Sequence, residues 1–82
     1  MTQSLSSVTD AVAEEVSITV NGAERRIPTA WTLADLLASL QLDARTVVIE
    51  RNGRILRDRA SFASIQLAAD DTIEIVHFVG GG

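Results

Sequence analysis

Apolar and polar residues alternate from position 16 onward, which is the pattern of a strand with one buried face. The alternation runs through Val16, Ile18 and Val20. Asn21-Gly22 follows, and this dipeptide favours a tight hairpin because both central turn positions need a positive φ. Residues 24–27 then predict the returning strand, and Pro28 ends it because proline cannot donate to a strand ladder.

A stripe of leucines at helical spacing follows this hairpin. Its members lie at i, i+3, i+4 and i+7: Leu33, Leu36, Leu37 and Leu40. Such a stripe predicts an amphipathic helix of about three turns with one apolar face. Thr32 precedes the stripe as a candidate N-cap, and Asp35 lies three positions later, as in a capping box. We therefore expect the helix to begin at Leu33.

The second half of the chain repeats the strand and turn signals. Residues 46–51 contain three consecutive apolar residues, Val47, Val48 and Ile49, and predict a third strand. Asn52-Gly53 predicts a second hairpin, with residues 54–56 as a short return strand. The next apolar residues predict a plug for the core on a short helical turn: Phe62, Ile65 and Leu67. A turn at Asp70-Asp71 leads into the last strand, residues 72–78.

This order of elements predicts an α+β fold, the β-grasp or ubiquitin-like roll. A mixed sheet of four to five strands is expected, with one main helix packed on one face, because the leucine stripe must be buried against the sheet. The first and last strands are expected to pair in parallel at the sheet centre, joined by a right-handed crossover through the helix.

Composition excludes several kinds of function. The chain has 82 residues, with 11 acidic and 7 basic side chains, and no cysteine. Disulfides, cysteine-based zinc sites and a side-chain thiol that could carry sulfur are therefore excluded. The net charge of -4 argues against binding to nucleic acid, and no apolar run is long enough to span a membrane. We expect a small soluble protein in the cytoplasm.

The distribution of charge and apolar residues predicts three segments. Residues 1–15 are rich in small polar residues and are expected to form a flexible N-terminal extension. Residues 16–79 are predicted to form the β-grasp domain. Residues 80–82 are predicted to form a flexible tail of three glycines.

Four features that could carry chemistry have ordinary structural interpretations. His77 is expected to be a strand residue near the sheet edge, and Asp70-Asp71 a solvated turn. Four arginines between positions 51 and 59 are expected to form a solvated hairpin or a docking surface for an acidic partner. Trp31 is expected to pack partly into the core. We therefore assign no catalytic residue and no metal ligand.

The end of the chain is the strongest functional signal. Gly80, Gly81 and Gly82 form a slim tail that could enter a narrow channel and present a terminal carboxylate there. In the preceding strand, Glu74 shares a face with two apolar residues, so that face is expected to be solvent-exposed. We therefore predict a partner-binding surface at the end of this strand: Val76, Phe78 and Val79.

Several segments resemble the thiamine-biosynthesis sulfur carrier family, ThiS. They are Asn21-Gly22, residues 32–37, residues 47–53 and above all the ending, residues 74–82, with its Phe-Val-Gly-Gly-Gly sequence. The resemblance covers about residues 16–82. It implies a protein that is not an enzyme and binds no cofactor of its own.

The resemblance also implies a mechanism and its partners. An E1-like adenylyltransferase of the ThiF or MoeB type would use ATP to adenylate the Gly82 carboxylate. A sulfur donor protein, typically a persulfide, would then displace AMP and leave a thiocarboxylate. A thiazole synthase of the ThiG type would take the sulfur for the thiazole of thiamine.

Three other functions remain open at this point. A sulfur carrier could serve another product, such as molybdopterin or an amino acid. A ubiquitin-like modifier could be conjugated to lysines of other proteins, although the chain has no lysine of its own for self-chains. A β-grasp module could also act by binding alone.

Overall fold

In a computed structural model the described residues, 14–78, form one five-stranded sheet covered by a helix. The strands are β1 (Glu15–Val20), β2 (Ala23–Pro28), β3 (Val47–Arg51), β4 (Arg54–Leu56) and β5 (Thr72–His77). Helix α1 spans Leu33–Ser39, and two 3₁₀ helices span Ala44–Thr46 and Arg59–Ser64. The expectations for residues 1–13 and for the tail, 80–82, together with Val79, lie outside the described residues.

The strand order is β2-β1-β5-β3-β4, with β1 and β5 parallel and the other neighbours antiparallel. This mixed sheet with one main helix confirms the predicted β-grasp fold, including the parallel pairing of the first and last strands. β1 begins at Glu15, so the predicted domain boundary after residue 15 falls within this strand. Glu15 belongs to the sheet because it pairs with Pro28 and its carboxylate binds Arg26. Within residues 14–78, no helix is long and apolar enough to cross a membrane.

The two Asn-Gly turns have the positive φ angles that the sequence predicts, at 51° and 85° in the first and 52° and 86° in the second. Their asparagine side chains also bind the central strand. Asn21 Oδ1 accepts from Ile75 N at 2.7 Å, and Asn21 Nδ2 donates to Ile75 O at 3.2 Å. Asn52 Oδ1 accepts from Thr72 N at 2.8 Å. Each asparagine side chain thus forms hydrogen bonds with backbone groups of β5 just where the strand before the turn ends.

The capping box at the start of α1 is confirmed, since Thr32 and Asp35 exchange side chain to backbone hydrogen bonds. The helix is shorter than the three turns predicted. It ends because Gln41 adopts a left-handed φ of 60°, and Gln41 N and Leu42 N bond back to carbonyls of the last turn. This is a Schellman ending without the usual glycine, which is why the sequence did not reveal it.

The core lies between α1 and one face of the sheet. All the predicted leucines of the stripe except Leu40 are buried in it; Leu40 is partly buried at the helix C-cap. Phe62 and Leu67 are buried and Ile65 packs beside them, which confirms the predicted plug. Trp31 is half-buried against the same core, as expected.

The expected solvated turn at Asp70-Asp71 is wrong for its second residue. Asp71 is only 6% exposed. Its carboxylate accepts hydrogen bonds from Arg51 Nη2 at 2.8 Å, Asn52 Nδ2 at 2.9 Å and Ala68 N at 2.9 Å. Strand pairing brings Arg51 and Asn52 beside Asp71 from 20 and 19 positions away, a proximity that no local pattern predicts.

Two opposing effects set the protonation of this carboxyl group. Burial favours the neutral acid, but the hydrogen bonds from Ala68, Asn52 and Arg51 together outweigh it and lower the pKa of Asp71 below its usual value. The ionised form therefore stabilises the fold. This stabilisation is complete above the unfolded pKa, about 3.9, and is lost as the pH falls through the lower pKa of the folded state.

We predict that Asp71→Asn lowers the free energy of unfolding by about 2 to 3 kcal/mol near neutral pH, because it removes a charged acceptor from a buried network. Asp70→Asn is the matched control. Asp70 is exposed at a φ of 70°, which asparagine tolerates, so a change within about 0.5 kcal/mol is expected. Urea titrations from pH 7 to pH 3 should show wild type and Asp71→Asn converging in acid. An equal loss in both variants would contradict the assignment.

Candidate functional site

Strand β5 presents two different faces. Ile73 and Ile75 point into the core, whereas Val76 is 61% exposed and Phe78, directly after the strand, is 49% exposed. The face assignment made from alternation is therefore confirmed. Two large apolar side chains stay in contact with water immediately before the C-terminal segment.

Neighbouring strands enlarge this exposed area. Val48 of β3 pairs with Val76 and is half-buried, and Ile55 of β4 is 46% exposed. We call the four residues Val48, Ile55, Val76 and Phe78 the apolar patch. Sequence analysis missed Val48 and Ile55. The continuous run of residues 47–49 carries no alternation that assigns faces, and β4 is too short to show any. Exposed apolar groups gathered in this way mark interaction surfaces.

Phe78 is held in place from two sides. Its N–H donates to the carbonyl oxygen of Thr46, the residue just before β3, at 2.9 Å, so a backbone hydrogen bond still holds the chain one residue after β5 ends. The Arg59 guanidinium lies 5.7 Å from the centroid of the Phe78 ring, a cation–π contact. Arg59 is itself fixed, since Nε donates to Ala44 O at 2.8 Å and Nη2 to Val47 O at 3.2 Å. The last described residue is thus a fixed point from which residues 79–82 continue.

The four arginines between positions 51 and 59 were expected to form a solvated hairpin or a docking surface for an acidic partner. Three of them are exposed, and Arg51 is half-buried. Arg51 is bound to Asp71, and Arg59 bridges backbone carbonyls beneath Phe78. Arg54 and Arg57 are exposed. Tertiary contacts therefore use two of the four charges to build the fold and the base of the tail.

His77 lies at the end of the central strand, not near the sheet edge as expected, because β5 is flanked by β1 and β3. It lines an open cavity of about 620 Å³ on the helix side, together with Leu40 and Leu42. Among residues 14–78, no group of three or more His, Cys, Asp or Glu side chains could hold a metal ion. The main functional candidate of the described region is therefore the apolar patch on the opposite face.

Comparison with known proteins finds relatives over most of the chain. The model of the ThiS family matches residues 12–82. The sulfur carrier protein ThiS of Bacillus subtilis is 49% identical over 51 residues, which cover 62% of this chain and 76% of that protein. The crystal structure of the thiamine biosynthesis protein ThiS from Geobacter metallireducens matches with a TM-score of 0.69 and 28% identity. It covers 82% of this chain and 100% of that one.

Two thiazole synthases match as well. Those of Paramagnetospirillum magneticum and Magnetococcus marinus are 37% and 36% identical over 67 residues, 82% of this chain. The match spans only 20% of the length of each enzyme. A segment similar to this domain therefore occurs within polypeptides named as thiazole synthases.

We predict that Phe78→Asp leaves the domain folded, with a loss of about 1 kcal/mol or less from the missing cation–π contact. Ile75→Asp should unfold it, because an unpaired charge would enter the core at a cost of more than about 4 kcal/mol. Circular dichroism melting curves of both variants check this. If the two variants melt equally early, the exposed-face assignment fails.

Proposed function

The chain belongs to the ThiS family, and on this premise we propose that it carries sulfur as a thiocarboxylate on Gly82. It is a sulfur carrier of thiamine biosynthesis, as the family match establishes. The observation that carries the proposal is that this match continues through residue 82 and so includes the three glycines.

The chemistry needs activation from outside the chain. An oxygen of a carboxylate is a poor leaving group, so an E1-like enzyme of the ThiF or MoeB type first joins the Gly82 carboxylate to AMP, releasing pyrophosphate from ATP. The terminal sulfur of a donor persulfide then attacks the carbonyl carbon, a C–S bond forms, and AMP departs. A thiol finally reduces the remaining S–S bond and frees the thiocarboxylate.

The carrier contributes position and access to this chemistry. It has no cysteine, so sulfur cannot rest on a side chain. We propose that the activating enzyme docks on Val76, Phe78 and Val79, because moving exposed apolar side chains out of water is favourable. The fixed base at Phe78 sets where the glycines begin. Their lack of side chains lets the partner's channel fit closely around the backbone.

Thiazole synthase is the proposed acceptor of the sulfur. Support comes from the two thiazole synthases that contain a segment similar to this domain, because fusion keeps a carrier close to the enzyme that it serves. The cytoplasm is the proposed compartment, since activation consumes ATP. In this scheme the carrier supplies no acid, base or nucleophile, and the catalytic groups belong to its partners.

The direct test is the intact mass of the protein after incubation with the activating enzyme, ATP and a persulfide donor. Replacement of one terminal oxygen by sulfur is expected, and it should depend on ATP. Species joined to lysines of other proteins would instead identify a modifier. As a control, the activating enzyme must be active on its own carrier. If the mass of this protein then stays unchanged, the thiocarboxylate proposal is wrong.

Changes at the tail should abolish activation without affecting stability. Adding one alanine after Gly82 moves the carboxylate by about 3.5 Å and adds a Cβ, and such a misplacement should lower activation at least about 100-fold. Gly81→Val should do the same, whereas Gly81→Ala, its smaller control, should retain more activity. ATP–pyrophosphate exchange and melting curves measure the two effects. Normal exchange by the extended protein would show that Gly82 is not the working end.

A further inference from the structure

Two glutamates face each other on the open side of the sheet, next to the apolar patch. Glu50 of β3 and Glu74 of β5 are direct cross-strand partners, on the face opposite the buried Ile49, Ile73 and Ile75. Side chains paired in this way have Cβ atoms about 5 Å apart. Like charges at this distance destabilise a sheet, so the pair needs an explanation beyond folding.

No arginine in the described part of the chain neutralises this pair. Three ion pairs occur within residues 14–78, and none of them includes Glu50 or Glu74. Arg51, which follows Glu50 directly, points to the other face and binds Asp71. The folded domain therefore presents two adjacent glutamates that have no ion-pair partner among residues 14–78.

The two carboxylates belong to a groove with apolar walls. The groove has a volume of about 410 Å³ and is lined by Val48, Glu50, Ile55, Glu74 and Val76. Aliphatic walls combined with carboxylates are best matched by an arginine side chain. The methylene stem of arginine packs on apolar surface, and its planar guanidinium offers several N–H donors to carboxylate oxygens.

The position of the groove relates it to the tail. Four extended residues, 79–82, reach at most about 14 Å beyond Phe78. An enzyme that takes sulfur from Gly82 must therefore approach the end of β5 closely. Val76 lines the groove and lies two residues before Phe78, so such an enzyme would cover the groove as well.

We propose that this groove receives an arginine side chain of thiazole synthase, which pairs with Glu50 and Glu74 while its stem lies on Val48, Ile55 and Val76. This inference rests on the proposed function, which makes thiazole synthase the acceptor. It adds a charged specificity contact to the apolar docking surface. The repulsion between the glutamates in the free carrier is relieved only when the partner binds.

The test uses Glu50→Gln, Glu74→Gln and the double variant, with Glu24→Gln as the matched control. Glu24 lies on the same face of the sheet but on β2, two strands from β5, and its variant changes net charge equally. Each groove variant should weaken binding to purified thiazole synthase about tenfold in Kd by calorimetry. The control should change Kd less than twofold.

The groove variants should be more stable than wild type, although they bind thiazole synthase more weakly. Each single groove variant should raise Tm by about 2 to 4 °C, because one neutral partner removes the repulsion. The double variant should gain little more. The increase in Tm should be smaller in 1 M salt, where the Debye length is about 3 Å and the repulsion between the two carboxylates is screened. A merely structural role for the glutamates predicts lower Tm values and would overturn the proposal.

The binding outcomes separate this inference from the proposed function. If wild type binds thiazole synthase and the groove variants bind equally well, only the arginine contact fails. If wild type does not bind at all, the acceptor assignment fails and the contact with it. A carrier dimer in sedimentation equilibrium that the glutamine variants dissociate would assign the groove to a second copy instead. If replacing one arginine of thiazole synthase by glutamate restores its binding to the Glu74→Arg variant, that arginine is the partner residue.

Discussion

The fold depends on the central strand β5 being held from both sides. β1 pairs with it in parallel, β3 pairs with it antiparallel, and the side chains of Asn21 and Asn52 bind its backbone where those strands turn away. A parallel pair at the centre of a small sheet requires a crossover, which α1 provides while covering the core. The last strand is thereby bonded on both sides, and the segment proposed to carry the sulfur follows it directly.

The two ends of β5 have different roles. At its beginning, Asp71 is buried and bound by Arg51, Asn52 and a backbone N–H, so its charge stabilises the fold. Near its middle, Glu74 faces Glu50 without an ion-pair partner among the described residues, and towards its end Val76 and then Phe78 are exposed. The ion pair of Arg51 with the buried Asp71 thus lies at the end remote from the tail, and the exposed apolar side chains lie beside the tail.

This arrangement suits the proposed mechanism, in which the reactive group is the terminus of the chain. A carrier must keep its C-terminus accessible while the start of the terminal segment is held in place. The contacts of Phe78 with Thr46 and Arg59 hold that start. In the proposed scheme the partners supply the catalysis, so the carrier needs recognition more than chemistry. We propose that its apolar patch and paired glutamates supply two independent kinds of recognition, one by burial and one by charge.

Local patterns in the sequence determined the strands, both Asn-Gly turns, the helix start and the faces of β5, because each depends on residues a few positions apart. The glycine ending and the family resemblance likewise came from contiguous residues. Tertiary structure alone decided that Asp71 is buried against Arg51 and that Val48 and Ile55 join the patch. The reason is that strand pairing sets residues about twenty or more positions apart side by side, and such proximity leaves no periodic trace in the chain.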